Sequence, residues 1–117
     1  MADPGGGALM VREIGVRELE RKIAAGAQLL LVDVREPWEH ALAALPGSLL
    51  VPLGELPERI DEVAPEPGAL VVAYCHHGVR SRGAAAILEA AGVRDVVSLA
   101  GGIDAWSREV DAGVPRY

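Results

Sequence analysis

Phenylalanine is absent from the 117 residues, and two Trp and two Tyr make up the whole aromatic complement. Half of the residues are hydrophobic, so the core is expected to be aliphatic, built from Leu, Val, Ile and Ala. Cysteine occurs once, as Cys75, which excludes an intrachain disulfide framework and a paired-cysteine zinc site. There is no run of five or more basic residues, and the formal net charge is −6. That balance argues against nucleic acid or an anionic membrane as the main partner. No apolar stretch approaches the ~20 residues that a membrane-spanning helix needs. The first residues, Met1 to Gly7, are small, acidic and Gly-rich, the reverse of a positively charged export signal. Together with an unpaired thiol, these features predict a cytoplasmic location.

The length is below the ~150 residues of a typical domain and predicts one domain. Residues 1–8 read as a flexible head and residues 9–117 as the domain. Apolar runs of strand length occur at Leu29–Val34, Leu49–Val51, Ala69–Tyr74 and Val96–Leu99, with a weaker one near Leu9–Ile14. Most are continuously apolar rather than alternating, as strands covered on both faces require. Between them lie helical patterns. Val16, Leu19 and Ile23 share one helix face before Gly26, and Ala84, Ile87, Leu88 and Ala91 share another before Gly92. Ile103, Trp106 and Val110 form a third face, with Gly113 and Pro115 as the stop. Four prolines between Val51 and Ala69 leave room only for a short helix, about Glu55–Val63. Pro37 is placed as the first residue of a further helical turn. The alternation predicts an α/β fold in three layers, a mostly parallel sheet of about five strands with helices on both faces. Strand order is not legible.

Chemistry concentrates after the Ala69–Tyr74 strand, in Cys75-His76-His77-Gly78-Val79-Arg80-Ser81. Ligands of open α/β sheets bind outside the carboxyl ends of strands. A cysteine there, in a short loop entering a helix, meets main-chain N–H groups and the positive end of a helix dipole. Arg80 adds a permanent cation, and Gly78 permits the tight backbone that lets the amides converge. These features favour the thiolate, the nucleophilic form, and they suit an anionic substrate or a charged adduct on the sulfur. Ser81 reads as the helix N-cap rather than a second nucleophile, since no base stands beside it. Arg80 has a plainer alternative, as the partner of a carboxylate. The side chains of His76 and His77 are expected to face solvent while their amides face the pocket. Adjacent histidines diverge and only His40 remains as a further His ligand, so no metal site is expected.

With this loop the chain resembles a single-domain rhodanese, from about Gly15 to Pro115. Four motifs carry the likeness in order. Leu30-Leu31-Val32-Asp33-Val34-Arg35-Glu36-Pro37-Trp38-Glu39 matches the first signature, an apolar strand ending in Asp-x-Arg with a Glu four residues beyond the Arg. Pro46-Gly47-Ser48 with Val51-Pro52-Leu53 resembles the second, and Cys75 to Ser81 the active-site loop. Leu99-Ala100-Gly101-Gly102-Ile103-Asp104-Ala105-Trp106 resembles the terminal Gly-Gly-x-x-x-Trp signature. The family has Gly-His-Ile before its Pro-Gly, where this chain has Ala43-Ala44-Leu45. A histidine read as structural support is therefore missing.

The resemblance implies a sulfurtransferase without a cofactor. Cys75 would take the outer sulfur of a donor such as thiosulfate or a persulfide, becoming a persulfide itself. It would then pass that sulfur to cyanide, a thiol, a protein thiol or a sulfur-carrier protein. The amides of His76, His77, Gly78, Val79 and Arg80 would hold the charge of the persulfide. Arg35 and Glu39 are expected to form a structural ion pair. Asp33 and Arg35 are supporting residues, either as scaffold or at the pocket rim. Two other classes stay open: a cysteine phosphatase or arsenate reductase on the same fold, and a non-catalytic binding module. Cys75 and Arg80 enclose four residues, one fewer than in the related dual-specificity phosphatases. That makes a smaller cradle, suited to sulfane sulfur better than to a tetrahedral phosphate. An arsenate reductase would want a second, resolving cysteine, which the chain lacks. The binding module would be expected to have lost Cys75.

Overall fold

Strands that are apolar on both sides need cover on both sides, and the helices supply it. The computed structural model describes residues 11–117. Five parallel strands, β1 (Glu13–Ile14), β2 (Leu29–Asp33), β3 (Leu49–Leu50), β4 (Leu70–Tyr74) and β5 (Val96–Leu99), form one sheet. Their order across it is β1-β5-β4-β2-β3. The helices are α1 (Val16–Ala24), α2 (Pro37–Leu42), α3 (Val79–Ala90) and α4 (Gly102–Glu109), with a 3₁₀ segment at Leu53–Glu62. None of the described helices is long and apolar enough to cross a membrane.

The central strand shows the layering. Val72 and Tyr74 of β4 pack with Leu31, Val97 and Leu99 against Leu19, Ile103 and Trp106, side chains carried by α1 and α4. Val71 and Ala73 point the other way, onto a cluster with Leu56 of the 3₁₀ segment and Ala84 and Leu88 of α3. This period-two division of a continuously apolar run is what a doubly covered strand shows. The α/β, three-layer expectation therefore holds.

The local differences have local causes. The weak strand expected near Leu9–Ile14 is strand only at Glu13–Ile14, and its first two positions, like the head, lie outside the described residues. The expected helix at Glu55–Val63 is instead 3₁₀, contains Pro57 and breaks at Arg59 (φ −118°, ψ 20°). Proline removes a helical donor and crowds the preceding turn. Ile23 is 45% exposed rather than buried with Val16 and Leu19. It borders an open groove of about 410 Å³ with Leu29 and Trp106. Helix α4 stops at Glu109, short of Gly113, as Val110 and Asp111 both donate to the carbonyl of Trp106.

The strand order creates the site. From β2 the chain moves on to β3 on one side, and from β4 to β5 on the other. Successive connections therefore part at the β2–β4 boundary, the position at which open α/β sheets bind ligands beyond the carboxyl ends of their strands. Asp33 and Tyr74 are paired at that end, and Cys75 is the next residue. At this end of the sheet, α4 starts unusually close to the loop that follows β4. The N–H groups of Ile103 and Asp104 donate to the carbonyls of Cys75 (2.9 Å) and His76 (3.0 Å). Only glycine allows this approach at position 102. Its φ is +61°, and a Cβ there would stand 2.4–2.6 Å from the backbone of Cys75 and His76.

A Gly102→Ala variant should accordingly lose about 2–4 kcal/mol of stability, because the clash is with main chain rather than with a movable side chain. Urea unfolding of the two proteins checks this. A loss within 0.5 kcal/mol, about the size of an ordinary surface substitution, would show that the close approach carries no such load.

Candidate active site

A loop that turns directly into a helix aims its amides back at the residue that precedes it. Gly78, with φ +101°, is the N-cap of α3, and a Cβ there would meet Gly101 N at 3.1 Å and Leu99 O at 3.3 Å. The first turn of α3 therefore wraps around the Cys75 sulfur. Sγ accepts the N–H of Gly78 at 3.2 Å and that of Ser81 at 3.3 Å. The Ser81 hydroxyl lies 3.4 Å from Sγ and 2.7 Å from the hydroxyl of Ser98. Cys75 is only 1% exposed, so the sulfur is covered while main-chain donors converge on it. The first amides of a helix have no partner within it, and the dipole favours negative charge at that end.

Ser81 is thus not the N-cap but the third helical residue, since Gly78 already makes the turn. Its amide joins the sulfur cradle from outside the expected set. Ser98, the one polar residue in the strand Val96–Leu99, was missed from sequence, although a polar side chain in an apolar strand is a readable signal.

Asp33 and Arg35 are both completely buried, which places their side chains in the interior rather than at an exposed rim. The guanidinium of Arg35 donates to both carboxylate oxygens of Asp33, at 2.8 and 2.6 Å, and to the carbonyl of Ala43 at 2.6 Å. Burial pushes the Asp33 carboxyl up, but hydrogen bonds from Arg35 and His40 outweigh it and hold it below the ordinary value. The expected Arg35–Glu39 pair does not form. His40 reaches Asp33 at 2.8 Å, so an imidazole supports this network although the segment Ala43-Ala44-Leu45 has none. The Tyr74 hydroxyl completes it, donating to Asp33 at 3.1 Å and accepting the Leu45 N–H at 3.1 Å.

Glu39 instead takes Arg80. The two guanidinium nitrogens donate to its two oxygens at 2.7 and 2.9 Å. Glu39 also accepts the N–H of Glu36 at 2.9 Å and the hydroxyl of Tyr117 at 2.8 Å. Arg80, followed by burial acting the other way, leads the causes that hold the Glu39 carboxyl down at about 2. Tyr117 accepts an Arg35 N–H at 2.6 Å and stacks on His76, with centroids 4.0 Å apart and planes 6° from parallel. Burial pushes the Tyr117 phenol up to about 12. No spacing or motif announces this tyrosine.

His77 faces solvent as expected, but His76 does not. It is stacked between Tyr117 and His77, whose ring lies 3.9 Å away, so the adjacent histidines do not diverge. Burial first, then the neighbouring His77, lowers the His76 pKa and favours the neutral ring. His76, His77 and Asp104 bring ligand-type atoms within 4.8 Å of one another. Both Asp104 oxygens are already engaged, by Arg108 at 2.9 Å and Arg116 at 3.2 Å, which makes the group a poor fit for a cation.

Residues 15–109 match the family model for the rhodanese-like domain. The chain belongs to the rhodanese-like family. It is 39% identical over 99 residues to a sulfurtransferase of Allochromatium vinosum, covering 85% of this chain and 91% of that protein. It is 34% identical to a probable adenylyltransferase/sulfurtransferase, MoeZ, of Mycobacterium tuberculosis, where the match covers the whole of this chain and 30% of the longer protein. Among solved structures, a rhodanese-related protein from Thermoplasma volcanium superimposes with a TM-score of 0.74 at 30% identity, covering 85% of this chain and 93% of that one. The Cys75 loop of this rhodanese-like chain is the part where fold, motif and hydrogen-bond geometry meet.

The low-lying Glu39 carboxyl has a consequence for acid stability. Its pKa is depressed on folding, so its contribution is complete above about 4.5 and is lost as pH falls towards about 2. The expected loss over that window is on the order of 3 kcal/mol. Urea unfolding across it should show a steeper fall for the wild type than for Glu39→Gln, which cannot titrate. Parallel curves for the two proteins would contradict the assignment.

Proposed function

We propose that this chain is a sulfurtransferase that carries sulfane sulfur as a persulfide on Cys75. The observation that carries the reading is the pair of N–H groups, from Gly78 and Ser81, aimed at Sγ at the start of α3. In the first half-reaction the Cys75 thiolate attacks the outer sulfur of a donor such as thiosulfate. An Sγ–S bond forms, the donor S–S bond breaks, and the electron pair leaves with the departing group as sulfite. In the second, an acceptor nucleophile such as cyanide or a thiol attacks the outer sulfur, and the Sγ–S bond breaks to restore the thiolate. One covalent intermediate links the two halves, so ping-pong kinetics are expected.

The persulfide places its charge one bond further from the sheet, in the mouth of the loop. The helix-start amides of Val79 and Arg80, unpaired within α3, are suited to share it with the His76, His77 and Gly78 amides. Residues 9–117 act as one catalytic domain, and a reducing cytoplasm suits a free reactive thiol. The relative named as a sulfurtransferase supports the reaction class. A relative named as a putative sulfur carrier protein supports a protein thiol or carrier as acceptor.

Incubating the protein with thiosulfate and weighing it intact should show a gain of one sulfur atom, removed again by cyanide with release of thiocyanate. Cys75→Ser should show neither gain nor turnover. Retained turnover in that variant would take Cys75 out of the mechanism, and a wild type that gains no sulfur from any donor would favour the binding-module reading.

A further inference from the structure

Thiosulfate and an organic persulfide deliver the same sulfur at very different charge. Thiosulfate brings two negative charges to a thiolate and releases sulfite, so three negative charges share the site throughout. An organic persulfide, RSSH, reacts with the thiolate to give the Cys75 persulfide and RSH. The RS–S bond breaks, its electron pair goes to the departing sulfur, and the terminal proton moves with it, so only one negative charge is present. A site for the first donor needs a cation that is free to face it; a site for the second does not.

In this chain that cation is committed elsewhere. Arg80 is the only Lys or Arg between Cys75 and Ser81, and both of its terminal nitrogens are turned onto Glu39. Glu39 is itself 3% exposed and is fixed from two further sides, by the Glu36 amide and the Tyr117 hydroxyl. His76, stacked and held towards its neutral form, adds little charge. Two exposed apolar side chains stand on the elements that carry this pair. Trp38, next to Glu39, is 63% exposed and meets the Tyr117 ring edge-on at 5.9 Å, and Val79 of the loop is 68% exposed.

Resting on the sulfurtransferase reading, we propose that Glu39 is a specificity-determining residue. By occupying Arg80 it tunes the Cys75 site to organic persulfides of low charge and against inorganic dianions such as thiosulfate. Glu39 acts through Arg80 and touches no reacting atom, so its role is one of positioning.

The test compares kcat/KM for thiosulfate with that for the persulfide of N-acetylcysteine methyl ester, whose carbon skeleton carries no charge. The wild type should favour the organic donor by at least about tenfold. Glu39→Gln, by releasing one positive charge to the site, should raise kcat/KM for thiosulfate about tenfold while the organic donor changes less than about twofold. Glu39→Gln/Arg80→Gln, which removes both charges and leaves neither without its partner, should return the donor ratio to the wild-type side. It also keeps the question open if the single variant folds poorly. A donor ratio that stays the same in the single variant, or moves against thiosulfate, would overturn the proposal while leaving the persulfide chemistry standing. Failure of both donors to add sulfur to Cys75 in the wild type would instead remove the underlying reading, and this proposal with it.

Discussion

Two main-chain N–H groups pointing at one sulfur are the interaction on which the rest depends. They are available because a helix start has amides without helical partners, and they are aimed because Gly78 takes a positive φ just before α3. The sheet order then fixes where this happens. Cys75 follows the central strand at the boundary where the connections part, which is the one place in such a sheet that opens a crevice. Chemistry, in this reading, follows from backbone geometry more than from any acid or base beside the sulfur.

A second layer keeps that geometry from relaxing. The start of α4 clasps the carbonyls of Cys75 and His76, and this is possible only because Gly102 has no Cβ. Beneath it, Asp33 and Arg35 form a fully buried ion pair. Such pairs are weak sources of net stability, yet removing one partner strands the other charge at a cost of about 3–5 kcal/mol. Arg35 uses its remaining donors on Ala43 and Tyr117, so one side chain ties the end of β2 to the segment after α2 and to the tail. The loop is thus held from its sides and from below, by glycine contact on one hand and buried charge on the other.

Much of this was legible from residue order. Continuous apolar runs at Leu29–Val34 and Ala69–Tyr74 gave away doubly covered parallel strands, and Cys75 followed by a glycine-containing loop marked the site. The pairing of charges was not legible, for physical reasons. Arg35 and Glu39 have helical spacing, but α2 begins at Pro37, so Arg35 lies before the helix, in a bend where its own N–H donates to the Asp33 carboxylate at 3.0 Å. Glu39 finds Arg80, 41 residues away, a contact set by which strands neighbour each other; strand order is what a single sequence does not encode locally. Tyr117 reaches the site through the path of the tail, which no motif describes. Prolines explain a further miss, where a short helix became 3₁₀.

The idea that main-chain donors hold the transferred sulfur can be examined directly at those donors. Amide proton and nitrogen chemical shifts, followed by NMR before and after loading Cys75 with sulfane sulfur, report each N–H separately. Large shifts confined to the loop and the first turn of α3, led by Gly78, Val79, Arg80 and Ser81 and absent at buried Leu19 in α1, are the expected result. A loaded protein in which those amides keep their unloaded shifts would mean that the added sulfur lies outside the cradle.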